Sequence, residues 1–348
     1  MKKFLNSFCV VFVLAACLLV TGCKAPSGGG SSSNQSGGTS VTINGGSTEQ
    51  AQAQTATVPE DAPDEYKGVF IKDRQVILSP FIMEKYEVTR GLYKEIMTGK
   101  EEDGRLLMAD VPDWKLHCYA IEDDMLSPIS YVSWYDAVYF CNAYTEKTMA
   151  SDEKVYSISD ISVDEYGNII SATVTADMSK KGYRLPTEAE WEFAARGGDP
   201  SAPDWDYLFS GTQKGDGKSY FERKDEVLDD YCWYGENSEG KFHEVGKKKP
   251  NRLGLYDMSG NICEWCWDYY DQDVTAGDNG QNPVIDPCGP ATATSAYSYH
   301  VVRGGGCLQM AIGNKVICNA HSVSVRWRWN HPGIWANEYI GFRMCRTK

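Results

Sequence analysis

The sequence predicts an α+β domain that is irregular and loop-rich, with few helices around short antiparallel sheets. Three observations predict this class. Helical periodicity is confined to short capped segments, and apolar-polar alternation marks short strands. The chain also carries 33 Gly, 21 Tyr and 10 Trp, and bulky rings of this kind anchor irregular backbone. We expect one domain over residues 66–348, which is long for a single domain but allowed.

The N-terminus predicts export and membrane attachment. Lys2 and Lys3 precede an apolar run that ends in Leu-Val-Thr-Gly-Cys23, which is typical of a secretory signal and too short for a stable membrane span. The last five residues resemble a bacterial lipobox, so residues 1–22 form a signal peptide and Cys23 is lipidated. An ordinary signal peptide, or cleavage at Cys17, is the alternative. The expected location is the cell envelope, on the outer-membrane surface.

Residues 23–65 are predicted to form a flexible tether. Ser, Gly, Thr, Gln and Asn dominate this stretch, and such a composition cannot bury enough apolar surface to offset its ordering entropy. A coil of about 40 residues has a reach of roughly 35 Å. The tether would therefore hold the domain clear of a lipid surface.

The first predicted elements of the domain are two helices and a hairpin. Thr89 is expected to cap a helix over residues 90–97, and a longer helix covers residues 134–147. Its apolar stripe consists of Trp134, Ala137, Val138, Cys141 and Tyr144. Alternation over residues 155–174 around Tyr166-Gly-Asn168 predicts a hairpin.

The segment from Gly182 to Gly198 predicts a short capped helix. Thr187 and Glu190 have the spacing of a capping box, and Gly197-Gly198 provides a stop signal. Trp191, Ala194 and Ala195 recur at helical spacing, so we expect one buried face.

Charge and cysteine content limit the possible partners and sites. A formal net charge of −14 and a pI near 4.9 argue against nucleic acid as a partner. Nine cysteines follow Cys23, an odd number without a regular disulfide framework. Cys263 and Cys266 have C-x-x-C spacing, but no second pair completes a zinc site, and we expect both to be half-buried packing residues. The five histidines show no HExxH or HxH spacing.

Seven motifs then occur in the order of one known family. They are Glu87-Val-Thr89, Val132-Ser-Trp134, the Arg184-Leu-Pro-Thr-Glu helix, Gly254-Leu-Tyr-Asp-Met, Gly260-Asn261 with Glu264-Trp265, Arg303-Gly-Gly305 and Gly341-Phe-Arg343. Together they resemble the formylglycine-generating-enzyme-like (sulfatase-modifying factor) domain. The resemblance spans roughly Val69 to Arg346 and implies a C-type lectin fold.

The same resemblance bears on catalysis. Formylglycine-generating enzymes hold copper with two cysteines, five apart, shortly after the Arg-Gly-Gly motif, because copper(I) requires soft thiolates. Between Arg303 and Gly341 this chain has Cys307 and Cys318, which are eleven apart. We therefore assign no catalytic residue and no required cofactor. The alternative is an exported formylglycine-generating oxidase that acts on sulfatase cysteine.

Structural calcium is a second implication of the resemblance. The family binds calcium near its Gly-Asn-x-x-Glu segment, which corresponds here to Glu264 and the carbonyls of Gly260 and Ile262, with Asn237 near a second site. Mixed carbonyl and carboxylate oxygens suit this hard cation. The competing interpretation is a Glu264 that accepts buried backbone N–H bonds without a metal. The sequence leaves both open.

The terminal segment predicts a ligand-binding face. Mixtures of aromatic residues with Arg, Ser and Asn are typical of adaptable binding surfaces. The expected face consists of Ser322, Ser324, Arg326, Trp327, Arg328, Trp329, Asn330, His331, Trp335, Asn337 and Tyr339. For Trp327 and Trp329 a core position is the alternative, whereas Trp335 follows a Pro-Gly turn and is expected to be exposed.

The position of this segment suggests its role. In formylglycine-generating-like proteins of diversity-generating retroelements, the corresponding segment, here about residues 307–340, is hypervariable and binds ligand. The sequence thus predicts a non-catalytic, monomeric surface lipoprotein that binds a protein or glycan. A structural envelope lipoprotein without a specific ligand is a further alternative.

Overall fold

The computed structural model describes most of the predicted domain and two short segments before it. The described residues are 40–43, 46–47, 68–98, 100–102, 105–107, 124–164, 167–212, 227–294, 298–307, 311–312, 315–316 and 320–348. The predicted signal peptide and Cys23, the predicted lipidation site, lie outside them, as does Cys318.

Short helices are a minor part of the described chain. Four α-helices are present there: α1 (Arg90–Met97), α2 (Trp134–Thr148), α3 (Glu188–Ala195) and α4 (Leu228–Tyr231). Two 3₁₀ turns are formed by Ser151–Glu153 and Ala320–Val323. Within the ranges described above, no helix combines the length and the apolar character that a membrane span requires.

Side-chain caps begin the first three helices, and the sequence predicts two of them, at Thr89 and at Thr187. The Thr89 hydroxyl accepts a hydrogen bond from the Leu92 N–H. Ser133 forms a capping box with Asp136, and Thr187 forms one with Glu190. These bonds satisfy N–H groups that the first helical turn leaves without partners. The bounds of all three helices agree with the predicted ones to within one residue.

Most of the other regular structure in the described chain consists of short strands. In chain order they are β1 (Ser40–Ile43), β2 (Gly46–Ser47), β3 (Val76–Leu78), β4 (Phe81–Glu84), β5 (Lys100–Glu102), β6 (Arg105–Leu107), β7 (Tyr156–Val163), β8 (Ile169–Ala176), β9 (Tyr183–Arg184), β10 (Cys263–Tyr269), β11 (Val284–Ile285), β12 (Tyr299–Arg303), β13 (Ala311–Ile312), β14 (Lys315–Val316), β15 (Trp329–Pro332), β16 (Ile340–Gly341) and β17 (Cys345–Thr347).

Two four-stranded sheets organise the domain. One has the order β1-β4-β17-β9 and the other β15-β12-β10-β16. A three-stranded sheet, β11-β3-β2, and three two-stranded ribbons complete the described strands. The predicted hairpin is confirmed as β7 and β8, which pair antiparallel from Tyr156↔Ala176 to Val163↔Ile169. The predicted α+β class with few helices and short sheets is therefore confirmed.

The tether prediction was wrong at one place. Residues 40–43 form β1, which pairs antiparallel with β4 in the register Ser40↔Glu84 to Ile43↔Phe81. Val41 and Ile43 point into the core, whereas Ser40 and Thr42 are half-buried. A four-residue apolar-polar alternation is enough to add an edge strand once β4 is present as a template. The domain therefore begins by residue 40 and not at residue 66.

Helix α3 is buried on every side, although the sequence predicted a single buried face. All eight of its residues are buried, including Glu188, Glu190 and Glu192. Carboxylates are rarely buried unless they are paired, and each of the three is paired with arginine. Since two of these carboxylates pair with arginines from distant parts of the chain, the local pattern could not predict their burial.

Strand β10 separates two hydrophobic clusters. Cys263 belongs to the cluster around α2, whereas Cys266 belongs to the cluster around α3. Residues three apart on a strand point to opposite faces, which explains why this C-x-x-C pair does not form one site. Both side chains are buried, and the prediction of half-buried residues is corrected in that respect.

Candidate ligand-binding face

Buried arginines tie the segment that leads into β15 to helix α3. Arg303, at the end of β12, donates to Glu188 and Glu192 at 2.7 Å each and also to the Val325 carbonyl. Arg328 donates to both carboxylate oxygens of Glu188, at 2.7 and 2.8 Å. Charge-assisted bidentate pairs of this kind are strong and directional. The segment that enters β15 is therefore tied to α3 by charge pairs.

The electrostatics of Glu188 follow from this geometry. Burial would raise the pKa of its carboxyl, but the charges and hydrogen bonds of Arg328 and Arg303 outweigh burial and lower that pKa to about 2. Glu188 is consequently ionised across the physiological range. It acts as the common anchor of two arginines from the C-terminal part of the chain.

An aromatic row runs from the core to the surface along β15. The rings of Trp327 and Trp329 stack at 5.6 Å, and Trp329 meets His331 edge-on at 4.5 Å. His331 lies 5.6 Å from Trp335. Exposure rises along the row, from 8% at Trp327 to 54% at Trp335. The row ends in a large apolar ring that faces solvent.

The loop after β15 is held against the start of α2. The Trp134 N–H donates to the Gly333 carbonyl at 3.0 Å, and the Tyr131 N–H donates to the Asn337 carbonyl at 2.8 Å. The Asn337 side chain accepts from the Tyr339 N–H at 2.9 Å. Backbone bonds at both ends fix the loop, so Trp335 is presented from a supported position and not from a free tip.

A buried histidine, His300, and a half-buried one, His331, are both neutral at the predicted face. His300 and His331 are cross-strand partners on β12 and β15. Burial lowers the pKa of His300 to about 3 and that of His331 to about 4. The His300 ring also stacks on Trp134 at 3.8 Å. Both imidazoles are therefore uncharged near neutral pH, and the histidines add no positive charge to the face.

The structure divides the eleven predicted face residues into two groups. Five are buried: Ser322, Ser324, Arg326, Trp327 and Arg328. Six are half-buried or exposed: Trp329, Asn330, His331, Trp335, Asn337 and Tyr339. The prediction that the buried five contact a ligand was wrong, because their side chains pack inside the domain. Arg326, for example, bonds to the carbonyl and the carboxylate of Asp206. Only the second group is accessible at the surface.

Sequence reasoning missed one member of this surface. Ile334 is 44% exposed and precedes Trp335 directly. The Pro332-Gly333 turn that predicted exposure of Trp335 applies equally to Ile334. We use the name terminal face for these seven residues: Trp329, Asn330, His331, Ile334, Trp335, Asn337 and Tyr339.

The predicted calcium ligands lie in an already paired environment. Glu264 is fully buried, and Arg343 donates to both its oxygens at 2.7 Å. Trp191 donates to one of them at 2.7 Å. Neither interpretation from the sequence named these side-chain partners. Arg343 supplies the positive charge that a cation would bring to Glu264.

The other three residues predicted to bind calcium, Gly260, Ile262 and Asn237, take part in backbone pairing, apolar packing and hydrogen bonds within the described chain. Gly260 pairs with Trp233 in an isolated parallel bridge, and Ile262 lies in an apolar cluster. The Asn237 side chain bonds to the Cys232 carbonyl at 2.9 Å and accepts from the Tyr234 N–H. Among described residues, no group of three His, Cys, Asp or Glu side chains is placed to hold a metal. Calcium stays a prediction.

The cysteine after the Arg-Gly-Gly turn lies in a closed environment. Cys307 is fully buried and packs with Phe242 and Ile262. The Ser238 hydroxyl donates to its carbonyl at 2.7 Å. Copper that activates oxygen needs an open thiolate site, and this position does not fit one. Its companion in the sequence, Cys318, lies outside the described residues.

Comparisons with known proteins extend these observations. The family profile described as the sulfatase-modifying factor enzyme 1-like domain matches residues 29–348. A formylglycine-generating enzyme of Thermomonospora curvata is 29% identical over 290 residues, which is 82% of this chain and 87% of that protein. A protein of Paenibacillus barcinonensis named chaperone protein LppX is 33% identical over 212 residues, 58% of this chain and 67% of its own.

A solved structure shares the fold. Treponema denticola variable protein 1 superposes with a TM-score of 0.56 at 29% identity, and the match covers 80% of this chain and 89% of that one. Similar proteins thus include one named for an enzyme activity and two named for other roles.

Proposed function

Since the chain belongs to the sulfatase-modifying factor enzyme 1-like family, in which one scaffold occurs in proteins with different roles, we propose that it is a non-catalytic binding protein. Its ligand is a protein or a glycan that contacts the terminal face. The observation that carries this proposal is Trp335, a large ring with 54% exposure at the end of a packed aromatic row.

An exposed Trp on a supported loop is a favourable binding anchor. Rigid aromatic side chains contribute much contact area at a low cost in conformational entropy. Ile334 adds apolar surface, while Asn330 and Asn337 add amide groups at its margin. An apolar centre with a polar rim is the usual composition of a specific interface. The terminal face therefore has the elements of a small recognition surface.

The buried charge pairs support a binding role in a second way. Arg303 and Arg328 fix the segment that leads into the terminal face through Glu188, and the Tyr131 N–H bond to the Asn337 carbonyl holds the other end of the face. A ligand then does not have to order the loop on binding, and preorganisation of this kind increases affinity.

The cysteine arrangement argues against oxidase chemistry. The two cysteines between Arg303 and Gly341 are eleven apart in sequence, and Cys307 is packed among apolar side chains. We further propose that Cys23 anchors the chain to the outer-membrane surface through lipid. The signal-like N-terminus supports this location.

Substitution at the terminal face tests the proposal. The purified protein is screened against arrays of glycans and of extracellular proteins, and each hit is measured by biolayer interferometry. Trp335→Ala is expected to weaken binding at least tenfold, about 1.4 kcal/mol. Ile285→Ala, a similarly exposed apolar position at 63% on β11, is the matched control and leaves affinity unchanged. Equal affinities of the two variants contradict the assigned face.

The rival function has its own assay. The similarity to the Thermomonospora curvata enzyme favours testing for oxidation of cysteine to formylglycine. The protein is incubated with copper and a sulfatase-derived cysteine peptide, and aldehyde formation is followed by mass spectrometry. We expect no copper-dependent turnover. Turnover that disappears in Cys307→Ser would replace the binding proposal with the enzyme.

A further inference from the structure

A concave site, separate from the terminal face, lies between helix α2 and the β7–β8 hairpin. It encloses about 620 Å³, within the range of small-molecule sites. Helix α2 forms one wall, the 3₁₀ turn Ser151–Glu153 forms the end, and the start of β7 forms the other wall. We call this site the hairpin groove. None of the seven terminal-face residues lines it.

The floor of the groove is fixed by hydrogen bonds. The Asn142 side chain donates to the Tyr156 carbonyl at 2.7 Å and accepts from the Tyr156 N–H at 3.2 Å. The Tyr156 ring stacks on Trp267 at 5.1 Å, and its hydroxyl accepts from the Leu185 N–H at 2.9 Å. The start of β7 is therefore locked to α2 and to the core. The groove is preformed and does not need a ligand to open it.

The rim combines acids, an amine and hydroxyls. Lys154 and Glu146 form an ion pair at 2.6 Å across the groove, and both remain partly exposed. Asp152 adds a second carboxylate beside Ser151 and Ser157. The two carboxylates and one ammonium leave a formal net charge of −1. A polyphosphate or other strongly anionic ligand would meet no excess of positive charge here.

The inner wall adds a small apolar surface to this polar rim. Ala143 and Ile158 face the groove together with the Tyr139 ring. Carboxylates accept hydrogen bonds from hydroxyl groups, while Ser and Lys side chains donate to ring and carbonyl oxygens. An aromatic or aliphatic patch covers the C–H face of a sugar ring. A mostly polar lining with one apolar side does not suit a lipid or a hydrophobic drug-like molecule.

We propose that the hairpin groove binds an uncharged carbohydrate of one to four sugar units. Asp152 and Glu146 accept hydrogen bonds from its hydroxyls, and Tyr139 packs against a ring face. The groove would give the protein a glycan contact that is independent of the terminal face.

Saturation-transfer difference NMR on the full chain tests this site. The probes are chitotetraose, cellotetraose and maltotetraose. We expect at least one probe to show saturation transfer, and Asp152→Asn with Glu146→Gln to weaken its binding at least tenfold. Asp160 is an exposed acid farther along β7 that does not line the groove. Asp160→Asn removes one charge, is the charge-matched control for Asp152→Asn alone, and keeps full binding.

Two further variants distinguish binding in the groove from binding elsewhere on the domain. Ser157→Trp replaces an exposed lining residue with a bulky ring and should abolish the signal while the melting temperature stays unchanged. Trp335→Ala should leave the signal intact, because that residue belongs to the terminal face. The proposal is overturned by the absence of signal from all three probes, by persistence of the signal in Ser157→Trp, or by its loss in Trp335→Ala. A failure of the terminal face to bind leaves these outcomes unaffected.

Discussion

Arg328 provides the sharpest test of how the terminal face is held. The sequence alone placed this arginine among ligand contacts, whereas the structure pairs it with Glu188 through two bonds of 2.7 and 2.8 Å. It also donates to the Asp271 carbonyl at 2.9 Å and lies 5.0 Å from the centre of the Tyr270 ring. We predict that Arg328→Ala destabilises the domain strongly.

The expected magnitude follows from the partners that remain. Removing one member of a buried ion pair costs about 3–5 kcal/mol, since the other charge stays buried. Glu188 keeps Arg303 at 2.7 Å, so the cost should fall near the lower end, about 3 kcal/mol. For a domain of about 300 residues, an unfolding entropy of about 2.1 cal/mol/K per residue converts this cost into a drop in melting temperature of roughly 5 °C.

The assay is guanidinium unfolding followed by tryptophan fluorescence, together with thermal melting. Arg252→Ala is the matched control, because Arg252 pairs with Asp199 and Asp204 at 3.3 Å on the surface. Such exposed pairs contribute about 0–1 kcal/mol. If Arg328→Ala costs no more than Arg252→Ala, Arg328 does not support the scaffold and the reasoning is refuted.

Three other predictions follow from described features. Burial lowers the pKa of His331 to about 4, so as the pH falls below about 6.5 this histidine is protonated in the unfolded state before it is protonated in the folded state. The free energy of unfolding that His331 contributes therefore decreases by up to roughly 1.4 kcal/mol per pH unit. Chemical unfolding at pH 7 and at pH 5 should show a smaller pH-dependent loss of stability in His331→Gln than in the parent chain. Gly305→Ala should lower the free energy of unfolding by more than about 2 kcal/mol in thermal melts, because a Cβ at the left-handed φ of 66° would overlap the Ser322 carbonyl. Gly240 has a similar φ of 68° but open space around it. Gly240→Ala should therefore cost only about 1 kcal/mol. A chain that begins at residue 66 lacks Val41 and Ile43, which are buried in the core. In denaturant titrations it should be less stable than a chain that begins at residue 32 by at least about 3 kcal/mol. Equal stabilities would show that β1 does not contribute.

Local signals were sufficient to predict α1, α2 and α3, although not the four-residue helix α4. Thr89 and the Thr187–Glu190 pair act within a few residues of themselves, and their bonds occur as expected. Exposure of Trp335 was likewise predicted from the Pro-Gly turn that precedes it. In each case the determining interaction lies within one turn of chain.

Interactions between distant residues could not be predicted in this way. Glu188 and Arg328 are 140 positions apart, and Arg303 and Glu192 are 111 apart. A charged residue viewed without its partner is expected at the surface, since burial of a lone charge is unfavourable. That expectation misplaced Arg326 and Arg328 and missed full burial of α3. The same limitation applies to β1, whose four residues become a strand only beside β4.

The arrangement of β1 and β17 on the two sides of β4 brings the beginning and the end of the domain together. Ser40 lies opposite Glu84 and Thr347 lies opposite Phe81, so the two positions are separated laterally by about two strand spacings of roughly 4.8 Å each and along β4 by three residues, roughly 10 Å. A linker of several residues would bridge them, and the backbone could then be opened at another surface position. Circularly permuted forms of this domain should thus be accessible, with an attachment point chosen independently of the native ends.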